Sequence, residues 1–283
     1  MCVLLTLRLL ALTVVTLTLL LALSGLGPAE AVTLTPGDLI VGDTVSPVQI
    51  STVNPTTGAK TVICACTILS SIRDVAVKGT EKIYASGVLL SGLHGVVEFD
   101  PATGNQRVVA SWAPLQRLGG IAVEANGNIL VTEDGTVSST PYRVVRVDPS
   151  SGQKTTVSTG NRLSQPYGIA VGPSGQIFVV AQIVNFPAGV LPQGRTTAYG
   201  VLRIDPSNGQ QTVVAYGDQF DLAPIDWTEI IGPEDVFVAP DNMIYVRDAR
   251  VRGTNLRDEV RLIKVDPATG AQTMLSKTAF KRY

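Results

Sequence analysis

One histidine and three cysteines in 283 residues leave little room for metal or nucleophile chemistry. A Ser-His-Asp triad would have to use His94, in the Gly-rich stretch Ser91-Gly-Leu-His-Gly95. His94 fits a surface turn equally well. Cys2, Cys64 and Cys66 are too few for a disulfide scaffold, and Cys64 with Cys66 are too few for a structural zinc. Spacing i, i+2 puts Cys64 and Cys66 on one side of an extended segment, either as free thiols or as a strained local bridge. Neither sign of charge dominates: 22 Lys and Arg against 23 Asp and Glu give a net charge of −1. No nucleic-acid partner is expected, because phosphate binding needs a surplus of cations. There is no Walker-type phosphate loop, no Gly-x-Ser-x-Gly elbow and no His-Glu-x-x-His. Beyond the N-terminus, no segment shows sustained helical periodicity with caps.

Charged residues make up 16% and hydrophobic ones 45%, the balance of a chain that builds a core. The 27 glycines and 17 prolines announce many turns. Leu9 to Leu23 is apolar apart from three threonines, Arg8 precedes it, and Ala29-Glu30-Ala31 is a small-x-small site. Residues 1–31 are therefore expected to be a secretory signal peptide cleaved after Ala31, with an uncleaved anchor as the alternative. The destination is secreted or periplasmic. No membrane association is expected after cleavage, since no second apolar run of spanning length follows. Residues 32–283 show no shift of composition and are expected to form a single domain.

That domain repeats itself. Five segments begin Asp/Asn-Pro-x-x-Gly, at Asn54, Asp100, Asp148, Asp205 and Asp266, spaced 46, 48, 57 and 61 residues apart. Proline presets φ, glycine takes the left-handed conformation, and the Asp or Asn side chain accepts amide hydrogens of the turn. Apolar, β-branched residues flank each copy, so each is expected to be strand–turn–strand. A second hairpin alternates with it: from Asp74 (DVAVKGTEKIYA), Gly120 (GIAVEANGNILVT), Gly168 (GIAVGPSGQIFVV) and Asp235 (DVFVAPDNMIYVR), with Val32 to Asp43 as a shortened first copy. Each unit thus has four short antiparallel strands, a to d in order. A lone sheet of this kind cannot hide both faces; sheets stacked around an axis can. The expected fold is an all-β propeller of five four-stranded repeats, or six if one divergent repeat escapes the count. The C-terminal Thr278 to Tyr283 is expected to pair beside the first blade.

GIAVEANGNILVT, PYGIAVGPSGQIFVV and GPEDVFVAPDNMIYVRD resemble the repeats of NHL-type propellers. They also resemble the wider group of SMP-30/gluconolactonase-like and streptogramin-lyase-like proteins. The resemblance spans essentially residues 32–283. It implies the propeller fold and, for activity, either a metal-dependent lactone hydrolase or a lyase.

Antiparallel topology assigns the faces. The a–b and c–d turns share one rim, and the irregular b–c and d–a connections share the other, where binding is expected. Three connections stand out: Gln182 to Tyr199, Ala215 to Pro233 and Arg247 to Arg261. They suggest a ligand lip in which Asp226, Trp227 and Glu229 face Arg250, Arg252 and Arg257. Solvated surface ion pairs would read the same way. Strand b ends at Asp43, Gly87, Glu133, Ala181 and Asp248, three of the five being acidic. These carboxylates would approach the loop face together, where a hard cation or a cationic ligand could sit. SMP-30-like hydrolases hold a divalent metal near the axis, so the resemblance implies Asp43, Glu133 and Asp248 as ligands of Ca²⁺ or Mg²⁺. Alternatively, each carboxylate caps amides of its own loop. Two functions follow: a non-catalytic module binding a protein, glycan or small molecule at the loop face, or an SMP-30-like hydrolase or streptogramin-lyase-like enzyme.

Overall fold

The five Asp/Asn-Pro-x-x-Gly segments fold as one and the same turn. In each, the glycine amide donates to the carbonyl of the leading residue: Gly58 to Asn54, Gly104 to Asp100, Gly152 to Asp148 and Gly270 to Asp266 at 2.8 Å, and Gly209 to Asp205 at 2.9 Å. All five glycines have φ between 70° and 73°, a conformation that a Cβ would disfavour. The leading side chain closes the loop from inside. Asn54 Oδ1 accepts the amides of Thr56 and Thr57 at 2.9 and 3.0 Å, and Asp100 Oδ1 those of Ala102 and Thr103 at 2.9 and 3.1 Å.

The computed structural model describes residues 34, 39–43, 48–113, 116–135, 141–192, 195–217, 219–220, 229–252 and 258–280. Their strands form five antiparallel sheets, each pairing in chain order. The first has three described strands, β1 (Leu39–Asp43), β2 (Gln49–Val53) and β3 (Lys60–Ala65). The second contains β4 (Leu69–Lys78), β5 (Lys82–Leu89), β6 (His94–Phe99) and β7 (Gln106–Ser111). The third contains β8 (Gln116–Val123), β9 (Ile129–Gly135), β10 (Arg143–Val147) and β11 (Lys154–Thr159). The fourth contains β12 (Leu163–Val171), β13 (Ile177–Ile183), β14 (Ala198–Ile204) and β15 (Gln211–Tyr216). The fifth contains β16 (Glu229–Val238), β17 (Ile244–Arg252), β18 (Asp258–Val265) and β19 (Gln272–Phe280). This is the five-bladed propeller that the repeats foretell.

The cores lie between blades, not within them. Ile50 and Ile63 of the first blade pack with Ile72, Ile83 and Phe99 of the second. Tyr84 and Val96 of the second, with Trp112 just beyond its last strand, meet Ile121 and Val131 of the third. Leu130 and Val144 meet Ile169, Val179 and Leu202. Phe178 and Val201 meet Val236, Val246 and Ile263. Burying one such side chain is worth about 1.5–3 kcal/mol, so each blade is stabilised mainly through its neighbours.

Two devices bring the blades close. At the inner strands, a Cβ on Gly120 would stand 2.8 Å from Gly168 Cα, and one on Gly168 would stand 2.6 Å from Asp235 Cα. At the outer strands, the first residue of strand d reaches back to the preceding blade. Gln106 donates to the Ala65 carbonyl at 2.7 Å and accepts the Thr67 amide at 3.0 Å. Gln211 does the same to Gly160 and Arg162, and Gln272 to Tyr216 and Gln219.

Strands run further than the turn residues suggest. Around the Gly-rich stretch Ser91-Gly-Leu-His-Gly95 the connection is only residues 90–93, because Val88 pairs with His94 and Gly87 with Gly95. Of the expected connection Arg247 to Arg261, the described residues 247–252 and 258–261 are strand. The C-terminal segment corrects its expectation: Thr278 pairs with Val260 and Phe280 with Asp258, so it completes the fifth blade and does not pair with the first.

Replacing Gly168 with alanine forces a methyl group against the Asp235 backbone and should cost about 1–3 kcal/mol. Urea unfolding of Gly168→Ala is expected to show a lowered midpoint; an unchanged midpoint would mean that the inner strands are not packed this tightly.

Candidate functional site

A cavity of about 500 Å³ opens at the centre of the ring. Inner strands β4, β8, β12 and β16, with β17, supply its wall through Arg73, Asp74, Gly120, Tyr167, Asp235 and Arg247. These residues lie near the middle of their strands, and Arg73, Gly119, Tyr167 and Gly232, with Ala249 of β17, extend the wall from the Asp74/Gly120/Asp235 row towards one end of the ring. That end carries the b–c and d–a connections, so the cavity belongs to the irregular-loop face. Each inner strand is irregular just there: register shifts fall at Ile72/Asp74, Leu118/Ile121, Pro166/Ile169 and Pro233/Asp235. Such bulges re-aim side chains next to sites.

The second repeat motif opens with Asp74, Gly120, Gly168 and Asp235 at equivalent positions. The two glycines let neighbouring backbones touch. The two aspartates instead put carboxylates on the axis. Asp74 Oδ1 accepts the Val75 amide at 2.8 Å, and its Oδ2 crosses to the third blade to accept the Ile121 amide at 2.8 Å. Asp235 Oδ1 accepts the Val236 amide at 2.8 Å. Burial, reinforced by the Asp235 charge, pushes the Asp74 carboxyl up to about 7, against the pull of the two amides and Arg247. Burial also raises Asp235, opposed by the Val236 amide and Arg247. At the rim, Arg247 pairs with Glu234, both about half exposed. Thus the axis holds a carboxylate pair that keeps a proton near neutral pH.

The strand-end carboxylates behave differently. Glu133 and Asp248 share a strand face with buried Val131 and Val246, and each side chain is only 1% exposed. Arg143 binds Glu133 at 2.6 Å, and Trp112 Nε1 donates to it at 3.2 Å. Arg261 binds Asp248, its Nε at 2.9 Å. Burial pushes the Asp248 carboxyl up, and Arg261 opposes it. Asp43 is held by Lys60 and by Gln49 at 2.9 Å; Lys60 foremost keeps its carboxyl below the usual range. Among the described residues, no three His, Cys, Asp or Glu side chains gather in a way that would hold a metal ion. A divalent cation at Asp43, Glu133 or Asp248 would first have to displace a lysine or an arginine from each.

His94 begins β6. Its Nδ1 lies 3.5 Å from the Leu118 amide, and burial with the nearby charges of Arg117 and Arg73 pushes its pKa down. Arg117 is the register partner of Asp134, whose carboxyl burial raises while Arg117 and Arg73 lower it. Cys64 is buried and Cys66 partly so; both are free thiols. They lie on one side, as the spacing implies: the hydrogen bond between them foremost lowers Cys64 and raises Cys66. Of the expected lip, Asp226, Trp227 and Arg257 lie outside the described residues. The backbones of Glu229 and Arg252 are register partners across β16 and β17, and Arg250 partners Ile231.

No protein-family model matches the chain, and no curated protein matches it. Solved structures do match in fold. TolB from Acinetobacter baumannii superposes with TM-score 0.57 at 14% identity, over 85% of this chain and 52% of that one. The chain thus spans about half the length of that relative. A chain of a nidogen/laminin complex gives 0.55 at 11% identity, over 85% and 92%. XC5397 from Xanthomonas campestris, a gluconolactonase, gives 0.54 at 14% identity, over 86% and 72%. Identities this low establish the β-propeller and nothing finer. Among the described residues no helix is long and apolar enough to cross a membrane.

The raised Asp74 carboxyl has a consequence for stability. Between its ordinary value of 3.8 and about 7 the folded chain holds a proton there that the unfolded chain has released. This group's contribution therefore favours folding at low pH and is lost as pH rises through about 7. Chemical denaturation at pH 5 and pH 8 should show a smaller fall for Asp74→Asn than for the wild type. Parallel falls would contradict the burial of this carboxyl.

Proposed function

We propose that this protein is an extracytoplasmic β-propeller binding module, secreted or periplasmic, that takes its ligand in the axial cavity on the irregular-loop face. The ligand is a small molecule, or the exposed end of a protein or glycan chain. One observation carries this: four blades converge on a cavity of about 500 Å³ whose wall mixes arginines, carboxylates and a tyrosine on a rigid strand scaffold. The apolar N-terminal run with its small-residue site supports export. The fold likeness to TolB and to a nidogen/laminin chain is in keeping with a recognition role.

A hydrolase is the second candidate, on one observation. Asp74 and Asp235 form a carboxylate pair in the cavity, and one member stays protonated near neutral pH, as general acid–base chemistry requires. The fold likeness to a gluconolactonase lends it some weight. The strand-end carboxylates Asp43, Glu133 and Asp248 suit a Ca²⁺ or Mg²⁺ cofactor poorly, each being neutralised by its own cation. The binding module is therefore preferred.

Purified protein, with and without added Ca²⁺ or Mg²⁺, is to be assayed on glucono-1,5-lactone and probed on glycan and peptide arrays. Ala249 lines the cavity, so Ala249→Trp should fill it. The expected outcome is lactone decay at the spontaneous rate, with array binding by the wild type that Ala249→Trp loses. Lactone hydrolysis that Asp74→Asn or Asp235→Asn abolishes would establish the enzyme instead.

A further inference from the structure

We propose that Arg73 and Arg117, backed by His94, form a carboxylate-recognition subsite at the mouth of the axial cavity. This inference rests on the cavity being the ligand site and adds the chemistry of what enters it: a singly charged carboxylate with hydrogen-bond donors at its far end.

The two arginines come from neighbouring inner strands. Arg73 on β4 lines the cavity beside Asp74, and Arg117 on β8 stands two residues before Gly119, which lines it too. Both side chains are exposed. Five arginines elsewhere in the ring are committed: Arg107 to Glu98, Arg143 to Glu133, Arg146 to Glu124, Arg247 to Glu234 and Arg261 to Asp248. Among the described residues, neither Arg73 nor Arg117 has a carboxylate within ion-pair distance. The carboxylate that both influence is Asp134, the register partner of Arg117, and its own partial burial favours the neutral form. Two guanidinium groups thus share at most one negative charge.

His94 ties the pair together. Burial foremost, and then the charges of both arginines, push its pKa down and favour the neutral ring. Its Nδ1 faces the Leu118 amide, so the neutral ring carries its proton on Nε2 and offers a donor there. Guanidinium groups match the planar oxygens of a carboxylate bidentately, which a lysine cannot do. The acidic side of the same cavity selects among anions. Asp74, Asp235 and Glu234 repel a doubly charged group and accept hydrogen bonds from hydroxyl or amino groups. The subsite therefore favours a monoanionic hydroxy- or aminocarboxylate over phosphate or sulfate.

Sodium L-lactate and L-lactamide differ only in the charged group, and thermal melting at constant ionic strength compares them. Lactate is expected to raise the melting temperature in a saturable manner, while lactamide, chloride and phosphate do not. The Arg73→Gln/Arg117→Gln double variant should melt cooperatively without ligand and lose the lactate response. The Lys/Lys variant should require at least tenfold more lactate for half its effect. Equal responses to lactate and lactamide, or a lactate response that survives in the Gln/Gln variant, would overturn the proposal. Any array ligand separates the two levels: loss in Ala249→Trp with full binding in Gln/Gln keeps the cavity and removes the carboxylate subsite. Binding that survives Ala249→Trp removes the cavity itself.

Discussion

No blade of this protein can bury both of its faces alone, and the whole molecule follows from that constraint. Each apolar cluster is shared by two adjacent sheets, from Ile50 and Ile83 at one seam to Phe178 and Val246 at another. The shared cores require neighbouring inner strands to come nearly into backbone contact, which Gly120 and Gly168 permit. The outer rim uses a different joint. Glutamines 106, 211 and 272 replace the hydrogen bonds that a continuous sheet would have made across the gap. Greasy faces provide the energy, and glycine and glutamine provide the fit.

The candidate site arises where the repeat departs from its own rule. Two of the four axial positions keep glycine, and the other two carry Asp74 and Asp235. A carboxylate there gains backbone amides but loses water, so Asp74 holds its proton up to about 7. Across the mouth, Arg73 and Arg117 have no ion-pair partner among the described residues, while Arg143 and Arg261 are spent on buried Glu133 and Asp248. Buried ion pairs of that kind fix the scaffold; exposed, uncommitted charges face the solvent and whatever arrives in it.

Local chemistry was legible from the residues. Pro, Gly and Asp/Asn specify the five turns without outside help, and these turns set the strand count, the meander order and which rim carries the irregular loops. Loop extents were not legible, because Ser91-Gly-Leu-His-Gly95 reads as a turn while Gly95 and His94 find ladder partners in Gly87 and Val88. Glu133 and Asp248 are visible as strand-end carboxylates in the residues, but their partners lie across a hairpin or in another blade. Arg143 reaches Glu133 across the β9–β10 hairpin, but Trp112, just beyond β7, reaches it only once the sheets stack. Asp74 and Asp235 stand at the head of the repeat motif, yet only the ring arrangement brings them to one cavity. The Asp/Gly alternation at that one position was the signal that a sequence can carry.

Small-angle X-ray scattering of residues 32–283 tests the ring most directly. A closed propeller of this length should scatter as a compact particle with a radius of gyration of about 18 Å and a single symmetric peak in its distance distribution. An open stack of blades would give a markedly larger radius and a distribution with a long tail, and either result would contradict a closed axis and the cavity it encloses.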